Sequence, residues 1–473
     1  MKKALVWKLL ERFGVQGVQF VLQIVLARLL DPEHYGILSL MVIFTTLANV
    51  FVQQGFATAL IQNKDVTEED YSSVFWISMA VAVLLYTLLY ACAPVIAAFY
   101  EMPQIVGPFR VLALMLIPGA LNSIQLAKVS REMDFKQVFR SSVGGIVTSG
   151  AIGIALAYLG AGLWALVAQT LLNVTVSCLV MWFTVRWRPH VVCNLHRVKV
   201  LFSYGWKLLV SSLLDTLYQD VQSLVIGKKY NADTLGFYNR GKQFPQFLIG
   251  SVNGAVQSVM LPAMSAKQDH KDEVKLLMRN SIRISSYIVF PMMAGLAGVA
   301  APMVELILTE KWLPCVLYLQ INCFAFAFYP VHTCNLQAIN AMGRSDIFLK
   351  LEIIKKTIGM AVLLFALVCF DSPIAIALTG ACTAISSSFI NAYPNKKLIG
   401  YSYFEQMRDI LPSMILSLLM CAVVLLIGCL NIAPLAMLLI QLAAGVAVYV
   451  VLSIIIKMEE FHMLLSAIKT VRN

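Results

Sequence analysis

Apolar residues run in blocks of about 20 from one end of this chain to the other, separated by short polar breaks. Blocks of that length match a bilayer core of roughly 30 Å crossed at about 1.5 Å per residue. The pattern predicts fourteen transmembrane helices, near residues 13–30, 36–61, 73–99, 108–127, 141–160, 162–185, 203–227, 243–265, 284–308, 315–339, 353–370, 373–392, 411–430 and 433–456. Some hairpins are tight: 159–162 and 371–373 leave almost no room between helices. No loop is long enough for a soluble catalytic domain. The expected fold class is therefore all-α and polytopic.

A repeat lies inside this pattern. The stretch Arg28-Leu-Leu-Asp31-Pro-Glu33-His-Tyr-Gly36 returns two hundred residues later as Lys228-Lys-Tyr-Asn231-Ala-Asp233-Thr-Leu-Gly236. Basic, Asp/Asn, acidic and glycine positions coincide, and so do Gln19 and Gln219. Chance likeness between two short turns is the competing explanation. Duplication predicts two six-helix halves that start on the same side, related by an axis along the membrane normal. The expected division is residues 1–190, residues 191–395, and two additional helices in 396–473.

Polar residues in hydrocarbon are costly and usually face a bundle interior or a watery cavity. Arg12, Gln16, Gln19 and Gln23 form one stripe on span one, and Ser211, Asp215, Tyr218, Gln219 and Gln222 form one on span seven. Lys207 lies one turn before Ser211. Asn49, Gln53 and Gln54, then Asn253 and Gln257, continue the pattern on the partner helices. Each amide alone can be interhelical packing glue; the paired stripes favour a cavity lining. Lys207 and Asp215 form a structural ion pair, or Asp215 binds a proton or cation; both readings stay open. His332, among Asn335, Gln337 and Asn340, reads first as a hydrogen-bonded core residue.

Composition agrees with a membrane class. Hydrophobic residues make up 59%, charged residues 13%, and mean hydropathy is +0.78, against about 25% charged in soluble domains. The net charge of +11 is decided by placement. With the N-terminus inside, 28 of the 36 Lys and Arg fall in inside segments. That bias follows the positive-inside rule and predicts both termini inside. Spread over many short loops, the charge excludes nucleic acid as partner. Seven basic residues fall outside, four of them (Lys228, Lys229, Arg240, Lys242) in the loop expected between spans seven and eight. With Arg28, they either snorkel to lipid headgroups or meet an anionic substrate. The first run lacks a small-residue cleavage site, so it is expected to remain as a helix. The ten cysteines stand singly, without metal-ligand spacing.

Enzyme signatures are missing. There is no GxxxxGK[ST], no HExxH and no GxSxG, and the outer loops carry no DxD or ExD. The expectation is a transporter, not an enzyme, with no cofactor and no metal.

Several stretches resemble bacterial polysaccharide flippases of the multidrug/oligosaccharidyl-lipid/polysaccharide superfamily. They are Ala27–Gly36, Gly55–Gln62, Leu235–Gly241, Met260–Ser265, Glu310–Trp312 and Ala341–Arg344, in the right order. The likeness is strongest to Wzx-like exporters of O-antigen, colanic-acid or teichuronic-acid type. It implies a V-shaped pair of six-helix lobes plus two C-terminal helices. It also implies movement of an undecaprenyl-pyrophosphate-linked oligosaccharide from the inner to the outer leaflet of the bacterial inner membrane. The expected partners are that substrate, membrane lipids, H⁺ or Na⁺ as coupling ion, and polysaccharide polymerase or assembly proteins. The expected cavity residues are Arg12, Gln16, Gln19, Gln23, Arg28, Lys207, Asp215, Gln219, Gln222, Arg240 and Lys242, with Asp215 the ion-coupling candidate. A cation-coupled drug antiporter of the same superfamily, a polysaccharide polymerase or ligase, and a scaffold in a glycan-assembly complex are the alternatives.

Overall fold

The computed structural model describes residues 7, 14–53, 60, 66–132, 134–192, 194–430 and 432–472, with side chains described outside 195–197, 200–205, 207–208 and 467–472. Among these residues the chain is helical throughout its elements and contains no strand. It divides into two compact units, Met1–Gly236 and Phe237–Asn473.

The first unit holds α1 (Gln16–Leu29), α2 (Pro32–Gln53), α3 (Glu68–Phe99), α4 (Val106–Ala113), α5 (Leu116–Glu132), α6 (Phe135–Tyr158), α7 (Leu163–Thr184) and α8 (Leu195–Lys229). It also takes the first turn of α9 (Ala232–Ser265). α3 starts where Thr67 and Asp70 form a reciprocal capping box and Glu68 and Glu69 place negative charge at the N-terminal dipole. α6 and α7 make the tightest hairpin, and the sequence explains why. Ser141, Gly145, Ser149, Gly153 and Ala157 recur every fourth residue, all buried, as a ridge of small side chains. A Cβ on Gly145 would collide with Ser177 and Asn173, and one on Gly153 would stand 2.8 Å from Gln169 Cβ. In lipid, where apolar burial drives little association, such close backbone approach is what holds helices together. The turn between them relies on Gly160 and Gly162, at φ +77° and +55°.

The second unit continues α9, then α10 (Lys271–Gly298), α11 (Ala300–Leu308), α12 (Cys315–Ala327), α13 (Tyr329–Ala341), α14 (Ser345–Cys369), α15 (Pro373–Ala392), α16 (Asn395–Ile399), α17 (Tyr403–Ile427), α18 (Pro434–Ile455) and α19 (Glu459–Arg472). α17 starts on a second capping box, Ser402 with Glu405. The two added spans, α17 and α18, are tied to α10. Tyr287 Oη donates to Ser453 Oγ at 2.7 Å and Tyr449 Oη to the Tyr287 carbonyl at 2.9 Å. Arg279 grips Asp409 through two bonds of 2.8 and 2.7 Å.

Each expected span has a helical counterpart, with instructive differences. The fourth span is broken at Leu114–Met115 and the tenth at Phe328. The ninth bends by 66° between α10 and α11. Among the described residues, ten helices are long and apolar enough to cross a membrane, and the bent pair makes eleven. The described part of α1 is 14 residues. α8 and α14 carry charged ends: α8 begins at 195 rather than 203, and α14 at 345 rather than 353. The tail forms α19, and Glu460 in its first turn is buried. Its carboxylate is buried against Arg283 Nε at 2.6 Å, while Glu459 takes Arg283 Nη2 at 2.9 Å.

Candidate functional site

α1 and α8 bring the repeated polar stripes into the first unit. On α1, Leu22, Leu26 and Ala27 are buried, with Leu22 packed on Gly150 of α6. Gln19 and Gln23 are half-buried and fall on that same face, between Leu26 and Ala27 in helical register, and Gln16 is exposed. Val18 and Val21 occupy an exposed apolar sector on the other side. Arg28 follows Val21 by seven residues, so its register falls with the valines rather than the glutamines. It sits in the last turn of α1, where a cation complements the helix dipole. Arg12 and Gln54 lie outside the described residues.

α8 divides into an apolar and a polar sector. Val210, Leu214 and Leu217 are exposed and share one sector. Ser211, Asp215, Tyr218, Gln219 and Gln222 share the adjacent one, exposed or half-buried. One sector suits acyl chains; the other, with a carboxylate in it, suits water. The side chain of Lys207 lies outside the described ones, so its pairing with Asp215 has no geometry here.

Other amides are used in packing. Gln53 Nε2 donates to Asn49 Oδ1 at 3.1 Å, directly against Gly119 of α5. The Thr333 hydroxyl donates to Asn253 Oδ1. Gln257 remains exposed. His332 lies 3.4 Å from Asn391 Nδ2 through its Nδ1 and edge-on to Tyr329 at 6.0 Å. Asn335 belongs to a buried network that pattern reading did not find. It exchanges bonds of 2.8 and 3.1 Å with Gln406, and accepts from Asn395 Nδ2 at 2.7 Å. Its members come from α13, α16 and α17, and no spacing along the chain brings such residues together.

The basic residues expected outside need the largest correction. Residues 228–242 are not a loop: α8 ends at Lys229, only Tyr230 and Asn231 intervene, and α9 starts at Ala232 rather than 243. Asp233 in its first turn favours that start. Lys228 pairs with Glu101 at 2.9 Å and covers the Phe99 ring at 5.0 Å. Hydrogen bonding and charge from Lys228 hold the Glu101 carboxyl below its ordinary range. Arg240, 4% exposed, bonds Gln243 Oε1 at 2.7 Å and lies over the Trp312 ring at 5.1 Å. Lys242 is half-buried one turn away from Gln246. Among the described residues, no His/Cys/Asp/Glu group is arranged to hold a metal ion.

Comparison with known proteins places this architecture. The structure resembles that of the lipid II flippase MurJ in an inward closed conformation, with a TM-score of 0.75, 16% identity, and 96% and 99% of the two chains covered. That likeness concerns the fold. In sequence, the chain is 27% identical over 306 residues to the teichuronic acid biosynthesis protein TuaB of Bacillus subtilis (strain 168), covering 64% of this chain and 63% of the relative. The match thus spans less than two thirds of that relative's length. It is 22% identical over 356 residues to the lipopolysaccharide biosynthesis protein WzxC of Escherichia coli (strain K12), covering 74% and 71%. Residues 25–317 match the family described as Polysaccharide biosynthesis protein. Well over half of the chain carries that match, and it belongs to the polysaccharide biosynthesis protein family.

Proposed function

We propose that this protein moves a lipid-linked oligosaccharide, carried on undecaprenyl pyrophosphate, from the inner to the outer leaflet of a bacterial inner membrane. The observation that carries the reading is the polar sector of α8, exposed or half-buried beside an exposed apolar one, on a helix whose repeat-related partner α1 carries a glutamine stripe of its own. The relatives named for teichuronic acid and lipopolysaccharide biosynthesis supply the substrate class. The likeness to a lipid II flippase supports its lipid-diphosphate character.

In this reading the homologous halves are 1–190 and 191–395, and both termini are cytoplasmic. Gln16, Gln19, Gln23, Gln219 and Gln222 bond sugar hydroxyls. Arg12 and Lys207 attract the diphosphate, while the prenyl tail stays in lipid. Asp215 takes up H⁺ or Na⁺ and so couples the cycle to an ion gradient. Arg28, Arg240 and Lys242 have weaker claims, because Arg28 is off the glutamine face and Arg240 is spent on Trp312 and Gln243.

The test is flipping in proteoliposomes, with a fluorescent undecaprenyl-pyrophosphate oligosaccharide and an impermeant quencher. Inner-leaflet label should become quenchable only with the protein present. A folded protein that moves no such glycan, yet extrudes cationic dyes against a proton or sodium gradient, would replace this reading with a drug antiporter.

A further inference from the structure

We propose that the surface where α15 ends and α17 begins is a binding site for an anionic phospholipid of the surrounding bilayer, its phosphate held by Lys396, Lys397 and Arg408. The site lies within the second unit and does not depend on the transport reading above.

Two exposed apolar stripes run to this place. On α15, Leu378, Ile385 and Phe389 are exposed at helical spacing, while Ile376 and Asn391 on the opposite side are buried. On α17, Phe404, Leu411 and Ile415 are exposed at the same spacing, while Gln406, Ile410 and Ser417 opposite them are buried. In helices long and apolar enough to span a bilayer, such stripes meet acyl chains.

A run of rings joins the stripes where α15 stops and α17 starts. The Phe389 ring meets Tyr393 at 6.3 Å and Tyr403 at 5.2 Å, and Tyr403 meets Phe404 at 6.1 Å. Aromatic side chains at the ends of membrane helices mark the depth of the headgroups.

Unpaired positive charge sits at the same depth. Lys396 and Lys397 are exposed on α16, which lies between Tyr393 and Tyr403 along the chain. Arg408 is exposed within the α17 stripe, one turn after Phe404 and one before Leu411. The acids beside it are committed elsewhere. Glu405 accepts from the Ser402 amide at 2.7 Å and pairs with Lys275 at 3.3 Å. Asp409 accepts from Arg279 Nη2 and from Tyr401 Oη, both at 2.7 Å. Lys275, Arg279 and Arg283 on α10 thus all have carboxylate partners. Among the described residues, no carboxylate pairs with Lys396, Lys397 or Arg408. Cations at a membrane surface draw anionic headgroups. A zwitterionic headgroup would bring its own ammonium to the same three cations, so the site favours a lipid of net negative charge.

The test uses the full chain in phosphatidylcholine bilayers. A genetically encoded fluorescent amino acid at Leu411 reads the site, and one at Leu426, exposed near the other end of α17, is the control. Phosphatidylglycerol and phosphatidylcholine, each with a nitroxide on an acyl chain, are compared as quenchers at equal mole fraction. At Leu411 phosphatidylglycerol should quench at least about threefold more strongly, and at Leu426 the two should be equal. Equal quenching at Leu411, or the same preference at both positions, overturns the proposal.

Lys396→Gln with Lys397→Gln and Arg408→Gln should abolish the preference at Leu411, while Arg408→Lys alone should keep it. A preference that survives the triple substitution overturns the assignment. Molar salt should abolish it in the chain with no charge removed, a reading that needs no folded variant; persistence there overturns the assignment as well. Unlabelled undecaprenyl diphosphate, added at a small fraction of the phosphatidylglycerol, should leave the quenching unchanged. Relief of quenching would give the site to the polyprenyl diphosphate and overturn the phospholipid assignment.

Discussion

Trp187 and Glu68, 119 residues apart, are joined by a 2.6 Å hydrogen bond from the indole to the carboxylate. The same carboxylate accepts from Lys128 at 2.7 Å, and Lys128 faces the Tyr71 and Trp187 rings at 5.6 and 5.9 Å. One acid thus gathers the start of α3, the end of α5 and the inter-half connection. Glu68→Gln keeps the size but loses the charge. It should speed hydrogen exchange of the His190 and Asn194 amides, which donate to Ser72 Oγ and Ser73 Oγ, at least several-fold while the α6–α7 hairpin exchanges as before. Unchanged exchange would mean that the connection holds without Glu68.

Gly236→Ala and Gly36→Ala should each destabilise the chain by about 1–3 kcal/mol, the usual penalty for overpacking. Gly250→Ala is the control, since nothing lies within 4 Å of a Cβ there. Thermal unfolding in detergent reads the difference. Equal melting of the three variants would show that the turns relax freely.

Gln406→Ala removes the reciprocal partner of Asn335 in a site without water access. Each orphaned buried polar group costs about 1–3 kcal/mol. The expected result is a lowered melting temperature and faster proteolysis between α16 and α17, where Asn395 loses its ordered acceptor. The loss should not depend on which glycan is supplied.

The Lys228–Glu101 pair gives a pH dependence of known sign. Its carboxyl titrates below the ordinary 4.5 because Lys228 bonds and neutralises it. A carboxyl depressed in the folded state contributes its stabilisation above the unfolded value and loses it as pH falls through the folded one. The tie should therefore be intact at neutral pH and loosen only below 4.5. Spin-label distances across it should be insensitive to pH in Glu101→Gln. High salt should weaken the tie as well, since the pair is exposed.

Substitutions in the polar stripes should separate transport from stability. Lys207→Ala, Asp215→Asn and Gln219→Ala are expected to reduce flipping about tenfold, or about 1.4 kcal/mol, with unchanged melting. Arg240→Ala is expected to do the opposite, since it strips a buried cation from Trp312 and Gln243. Normal transport by Lys207→Ala would remove that residue from the cavity.

Much of the fold was legible because the bilayer imposes length and apolarity on every span. The break at Phe328 and the 66° bend at Val299 were not, since both lie inside unbroken apolar runs. Charged residues misled in one direction. Arg240 and Lys242 interrupt the apolar pattern and read as loop, yet Arg240 buries its guanidinium on an indole supplied from 72 residues away. Glu460 is buried in the same way, against Arg283, which stands 177 residues earlier. The polar sectors of α1 and α8 were legible because helical spacing alone decides which residues share a face. The Asn335–Gln406–Asn395 network was not, because only tertiary packing assembles it.

The meeting of Gly36 with Gly236 has an ancestral consequence. Each glycine stands at the same position of its own copy, and each faces the other copy's proline or alanine carbonyl. On the duplication reading, this is a surface that docks on itself, the geometry of a two-fold homodimer. A half-length precursor could have closed that dyad with one glycine serving both sides, so that any new methyl group would have arrived twice at once. Fusion into a single chain lets the copies diverge, as Asp31 against Asn231 and Pro32 against Ala232 show. At the dyad itself, neither partner gains room unless the other turn gives way.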